Sequence, residues 1–171
     1  MEKHTSRIKH YLFAIITIAA GVIFDQWMKK LAVIHLKDQE PFVLWENVFE
    51  LHYLENRGAA FGMLQDQRVF FYLSVVIVTA FLVYFYAKVP MTKKYLPLRI
   101  CSVFIAAGAY GNFIDRVKLN YVVDFFYFKL IDFPIFNVAD IYVTVTVFVL
   151  VFLILFYYKE EDLDRIFTRG K

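Results

Sequence analysis

The sequence predicts an all-α membrane protein with four transmembrane helices, a small outer β-sheet and an outer amphipathic lid. Three observations carry that prediction. Of the 171 residues, 60% are hydrophobic and 20% aromatic, whereas a soluble domain holds about 45 to 50% apolar residues. The apolar residues gather in four runs, close to the ~20 residues a helix needs to cross ~30 Å of hydrocarbon. Between the first two runs the pattern changes to a period of two, as short strands require. The chain is therefore read as one integral membrane domain over residues 1–171, with spans near 10–31, 69–88, 97–115 and 138–158 and an outer β segment near 42–62.

The first run, Tyr11 to Phe24, reaches spanning length only by continuing through Asp25, Gln26 and Lys29. Asp25 and Lys29 are four apart and can pair along one helix face. A basic start and the small residues Ala19, Ala20 and Gly21 also fit a cleavable signal peptide, but the apolar run passes beyond them. From Phe42 onward Phe49, Leu51 and Tyr53 alternate with Glu50 and His52, and Glu46-Asn47 supplies a turn. The small residues of Asn56-Arg57-Gly58-Ala59-Ala60-Phe61-Gly62 then suggest close backbone approach before the second span, Val69 to Ala87.

The third run, Leu98 to Ile114, has Arg99 at one end and Asn112 at the other. Gly108 and Gly111 would let a neighbouring helix or a substrate chain come near. Residues 116–137 are dense in aromatics, which suits interfacial anchoring and equally a lid lying along the interface. In the fourth span, Asn137 is placed as an N-cap with Asp140 in the first helical turn.

Orientation follows from the basic flanks. Lys3, Arg7 and Lys9 precede the first span, Lys88, Lys93, Lys94 and Arg99 join the second to the third, and Lys159, Arg165, Arg169 and Lys171 follow the fourth. Both termini are expected in the cytoplasm, which leaves Asn56, Asn112, Asp124 and Asp140 at the outer face.

Several chemistries lack support. The four histidines, His4, His10, His35 and His52, show no metal-ligand spacing, so no metal and no other cofactor is expected. Cys101 stands alone, so no internal disulfide can form. No phosphate-binding glycine loop is present. The basic residues are accounted for by topology, and no nucleic acid is expected among the partners. A Ser74/Lys29 nucleophile pair rests on residue type and approximate depth alone.

What needs explaining is acid near lipid, because a carboxylate at a membrane helix centre costs about 2.5 to 3.5 kcal/mol on insertion scales. Asn112, Asp115 and Arg116 are spaced to share one helix face, although Asp115 and Arg116 alone would also read as a helix end. Asp124 lies in Val122-Val123-Asp124-Phe125-Phe126, whose apolar neighbours raise a carboxyl pKa, and the helix dipole at Asp140 favours the anion. Two carboxyls with opposed environments make an acid/base pair. A proton-coupled transporter could also use membrane carboxylates, but no inverted repeat or broken helix is visible, and an inactive scaffold would carry the same residues.

Asp25-Gln26 with Lys29, Asn56-x-Gly58-Ala59-Ala60-Phe61-Gly62, Gly111-Asn112-x-Ile114-Asp115-Arg116, Val122-Val123-Asp124-Phe125 and Phe136-Asn137-x-Ala139-Asp140 occur in that order. On these motifs the chain resembles the bacterial lipoprotein signal peptidases, also called signal peptidase II. The resemblance implies a multi-pass aspartyl protease of the bacterial cytoplasmic membrane. Its partners would be membrane lipids and prolipoproteins, cut before a diacylglyceryl-modified cysteine, and it is expected to act as a monomer. On the same resemblance Asp124 and Asp140 match the catalytic dyad. Asn56, Asn112, Arg116 and Asn137 match residues that hold substrate and orient the aspartates, and Asp25, Lys29, Gly108 and Asp115 match supporting positions. Ala109 departs from the family, which often has a second glycine there.

Overall fold

The computed structural model describes residues 2–58, 63–65 and 67–167. The Ala59-Ala60-Phe61-Gly62 part of the small-residue motif lies outside the described residues. In chain order the elements are α1 (Glu2–Leu36), β1 (Phe42–Trp45), β2 (Phe49–Asn56), α2 (Arg68–Lys88), α3 (Leu96–Leu119), β3 (Val122–Tyr127), α4 (Val138–Phe152) and α5 (Glu160–Phe167). Among the described residues, four helical segments, Arg7–Leu36, Arg68–Lys88, Lys93–Leu119 and Val138–Tyr157, are long and apolar enough to cross a membrane.

α3 is the central helix and packs against α1, α2 and α4. Small residues make this possible: Ala106, Ala107, Gly108 and Gly111 are all buried on it. A Cβ on Gly108 would stand 2.5 Å from the Ala139 carbonyl oxygen and 2.7 Å from Val143 Cγ2, so α4 crosses α3 backbone to backbone at that point. On α1 the buried residues Asp25, Lys29, Ala32 and Leu36 are spaced four, three and four apart, which is one helical stripe turned inward. The outward surfaces carry Ile15, Ile16, Phe81 and Phe148, all more than half exposed, as suits a lipid-facing helix.

The sheet has the order β1-β2-β3, antiparallel throughout. β1 and β2 form the expected hairpin, with Asn47 at φ 57 and Val48 N donating to the Trp45 carbonyl at 3.0 Å. β3 was expected only as an aromatic connection. Instead it pairs with β2 in the register Asn56↔Val122 and Leu54↔Asp124. Its first four residues are buried, because the strand lies between β2 and the ends of α1 and α3. Glu50, expected on a polar face, is buried too and pairs with Lys129 at 2.7 Å.

Two apolar clusters hold the two ends of the molecule. Ala32, Leu36, Val123, Phe125 and Val138 join the helix ends to the sheet. At the opposite end Val89, Leu98, Cys101, Leu153 and Ile166 pack around the stacked rings of Tyr95 and Tyr158. There α5 is fastened by Lys94 to Asp162 at 2.6 Å and by the Tyr95 hydroxyl to the Asp162 carbonyl at 3.0 Å.

Candidate active site

The sheet, α3 and the start of α4 converge on a cavity of about 700 Å³. Its lining is mostly apolar, with Phe71, Val75, Phe128, Phe133 and Phe136 among the wall residues and Asn56, Asn112, Arg116, Asp124 and Asp140 as the polar group. Phe136 contacts both Phe128 and Phe133 ring to ring, so these aromatics form a packed wall.

Asp140 arrives through helix capping. Asn137, fully buried, accepts the Asp140 backbone N–H on Oδ1 at 3.0 Å, and Asp140 Oδ2 accepts the Asn137 N–H at 3.0 Å. This capping box occupies one carboxylate oxygen and leaves Oδ1 to accept from Asn112 Nδ2 at 2.8 Å. The capping expectation is thus met by one oxygen of Asp140, while the other meets Asn112 at the cavity.

Asp124 is delivered by β3. It is the diagonal neighbour of Asn56 across β2 and β3, on one face of the sheet. Asn56 Nδ2 donates to Asp124 Oδ2 at 2.9 Å, and Asn137 Nδ2 donates to Asp124 Oδ1 at 2.6 Å. One asparagine therefore holds both aspartates. With the side chain 1% exposed, burial, reinforced by the neighbouring Asp140, pushes the Asp124 carboxyl up to about 7, against the pull of its two amide donors.

Three amides have their direction set from behind. Asn56 Oδ1 accepts Gly58 N at 2.9 Å, Asn137 Oδ1 accepts Asp140 N, and Asn112 Oδ1 accepts Lys29 Nζ at 2.8 Å. Each oxygen is engaged by a donor, so each NH₂ must turn to a carboxylate.

A buried charge network lies beneath. Lys29 Nζ is 2.9 Å from Asp25 Oδ2, the expected pair along the helix, and 3.0 Å from Asp115 Oδ2. Asp25 Oδ1 accepts Ala139 N at 2.9 Å, and Asp115 Oδ2 accepts Val123 N at 3.2 Å. Gln26, quoted with the Asp25 motif but given no role by it, donates to Asp115 Oδ1 at 2.7 Å and to the Gly111 carbonyl at 3.1 Å. Its contacts lie 85 and 89 residues away in sequence, so no local signal marks it.

The Asn112, Asp115 and Arg116 face divides. Asn112 and Asp115 both reach Lys29, while Arg116 turns toward Phe71, with its guanidinium carbon 4.0 Å from the ring centroid, and donates to the Gly58 carbonyl at 2.9 Å. Among the described residues, Arg116 Nε is the buried side-chain polar atom without a hydrogen-bond partner. Ser74 and Lys29 do not make a nucleophile pair: Ser74 Oγ donates to its own helix at the Phe71 carbonyl, 2.9 Å away, and Lys29 is held by two carboxylates.

A Cβ at Gly111 would lie 2.6 Å from Asp25 Oδ2 and 3.2 Å from Ala139 Cβ. Gly111→Ala is therefore expected to push the Asp25 carboxylate off the α4 terminus and to destabilise the fold by about 1 to 3 kcal/mol, as overpacking does. A melting curve in detergent measures it, and an unchanged melting temperature would show that the network yields freely.

With one carboxyl inclined to hold its proton and a second within reach of the same asparagine, the cavity can activate a water and polarise a carbonyl together. A family model described as signal peptidase (SPase) II matches residues 17–156 of the chain. The lipoprotein signal peptidase of Streptococcus thermophilus (strain CNRZ 1066) is 41% identical over 147 residues, covering 86% of this chain and 93% of that one. That of Clostridium tetani (strain Massachusetts / E88) is 41% identical over 153 residues, with 88% and 95% covered. A bacterial membrane enzyme structure obtained by the in meso method superposes with a TM-score of 0.72 at 32% identity, covering 86% of this chain and 92% of that one.

Proposed function

The chain belongs to the signal peptidase II family, and on that premise we propose that it is an aspartic endopeptidase that removes signal peptides from prolipoproteins, cleaving before the diacylglyceryl-modified cysteine. The observation that carries this reading is the hold of Asn137 on both Asp124 and Asp140 at the wall of a largely apolar cavity.

Asp140 takes a proton from a water placed between the two carboxyls, and the hydroxyl attacks the scissile carbonyl carbon. Asp124, carrying its proton, donates to the carbonyl oxygen as it becomes tetrahedral. On collapse the amide nitrogen takes a proton from Asp140 and leaves as the amino terminus of the lipidated cysteine, while Asp124 recovers the proton it gave. No covalent enzyme intermediate and no metal enter this sequence. A water-poor wall strengthens each of these electrostatic steps.

Asn56, Asn112 and Asn137 orient the two carboxyls. Arg116, whose Nε is unpartnered, binds a substrate carbonyl when the cavity is filled. Residues 128–136, which supply much of the cavity wall and are tied to β2 by the Lys129 to Glu50 ion pair, serve as the lid. The protein acts as a monomer in the bacterial cytoplasmic membrane. The direct test is cleavage of a diacylglyceryl-modified prolipoprotein peptide by the purified protein in detergent; intact peptide after prolonged incubation would overturn the reading.

The orientation is part of the proposal: both termini and the α2–α3 connection are cytoplasmic, and the cavity opens at the outer face. In a Cys101→Ser background, an impermeant thiol reagent added outside intact cells is expected to label Glu46→Cys, in the exposed hairpin turn, and to spare Lys93→Cys. Labelling at position 93 would invert the topology.

A further inference from the structure

Lys29 has a place in this site that pairing along its own helix does not explain. It is 3% exposed and does not line the cavity. An ammonium has three protons, and here three acceptors surround it: Asp25 Oδ2 at 2.9 Å, Asp115 Oδ2 at 3.0 Å and Asn112 Oδ1 at 2.8 Å. With all three engaged, Lys29 has no proton to exchange with a substrate. Each acceptor leads on to one candidate aspartate. Asn112, with its oxygen taken by Lys29, turns its NH₂ to Asp140 Oδ1. Asp25 receives the N–H of Ala139, the residue before Asp140, and Asp115 receives the N–H of Val123, the residue before Asp124.

We infer that Lys29 is a positioning residue for both aspartates: one ammonium ties α1 to the start of α4, to β3 and to Asn112, and so sets where the two carboxyls stand relative to each other. This rests on reading Asp124 and Asp140 as the catalytic pair. The charge acts as well as the geometry, because the Lys29 cation is among the influences that draw the Asp124 carboxyl down against its burial. Without it Asp124 keeps its proton to higher pH.

The test uses the full-length protein in detergent and the lipidated peptide. Failure of the wild type to cleave would sink the proposed function itself, whereas the variants decide the role of Lys29. Lys29→Met is expected to lower kcat by about 100-fold, the cost of a misplacement of about 1 Å in a reacting group. KM should change little, because Lys29 does not line the cavity, and the alkaline limb of the pH profile should move to higher pH. A merely structural lysine would lower the melting temperature and leave that limb in place, which would overturn the inference, as would a wild-type kcat. Should Lys29→Met fail to fold, Lys29→Met with Asp25→Asn removes one charge of each sign and keeps the net charge of the network. That double variant is expected to fold and to stay slow; wild-type turnover there would refute positioning by Lys29.

Discussion

Asp124→Asn and Asp140→Asn are each expected to lower turnover of a lipidated peptide by about 10²- to 10⁴-fold, the range general acid/base groups contribute, with the folded protein retained. They should differ in one respect. The Asp124 carboxyl rises from its ordinary 3.8 to about 7 on folding, so between those values the folded state holds a proton that the unfolded chain has released. Stability attributable to this group is intact below about pH 4 and is lost as the pH climbs through about 7, where a buried carboxyl must ionise. Wild-type melting temperature should therefore fall over that window, and Asp124→Asn should flatten the fall. Activity should decline on the same alkaline limb as the acid loses its proton. Near-normal turnover in either variant would remove the aspartyl mechanism, and an unchanged melting profile in Asp124→Asn would remove the assignment of Asp124 as the acid.

The second large effect concerns the substrate. An unlipidated peptide of identical sequence is expected to lose at least 10³-fold in kcat/KM. If the apolar cavity wall shelters as few as about six methylenes, each worth ~0.8 kcal/mol, the loss is about 5 kcal/mol. Because binding energy far from the reacting bond also fixes its position, kcat should fall along with affinity. Initial rates over a concentration series separate the two: equal rates at saturation would mean that the lipid only delivers the substrate to the membrane.

The helical part of the fold and the β1–β2 hairpin were legible because each has a local period, four apolar runs and one alternating segment. β3 had none. Buried on both sides over its first four residues, it needs no polar face, so Val122-Val123-Asp124-Phe125 reads as one apolar run interrupted by an acid. α5 was equally hidden: its charged residues suit a cytoplasmic flank, and what makes it part of the core is the burial of Ile166 and the grip of Lys94 on Asp162.

For the candidate site, residue types in unusual places pointed to Asp124, Asp140, Asn112 and Asn137. Their assembly was not visible, because it is a matter of register and of distant pairs. Asn56 meets Asp124 across 68 residues, and Lys29 meets Asn112 across 83. Asp140 shows why a bland reading and a functional one need not compete, since its cap and its approach to the cavity use different oxygens of one carboxylate.

The Asp25 and Lys29 pair also bears on how the chain is made. The partners that complete this network on α3 and α4 are synthesised long after α1: Ala139 follows Asp25 by 114 residues, about 6 to 23 s at ordinary elongation rates. Until α3 and α4 follow, α1 must stand in the bilayer with an acid and a base in its apolar stretch and none of those partners to receive them. Standing one turn apart at 2.9 Å, the two charges can neutralise each other within the helix and lower the cost of insertion. The nascent helix thus enters the membrane with its own counter-ion, which it later shares with Asp115 once α3 arrives.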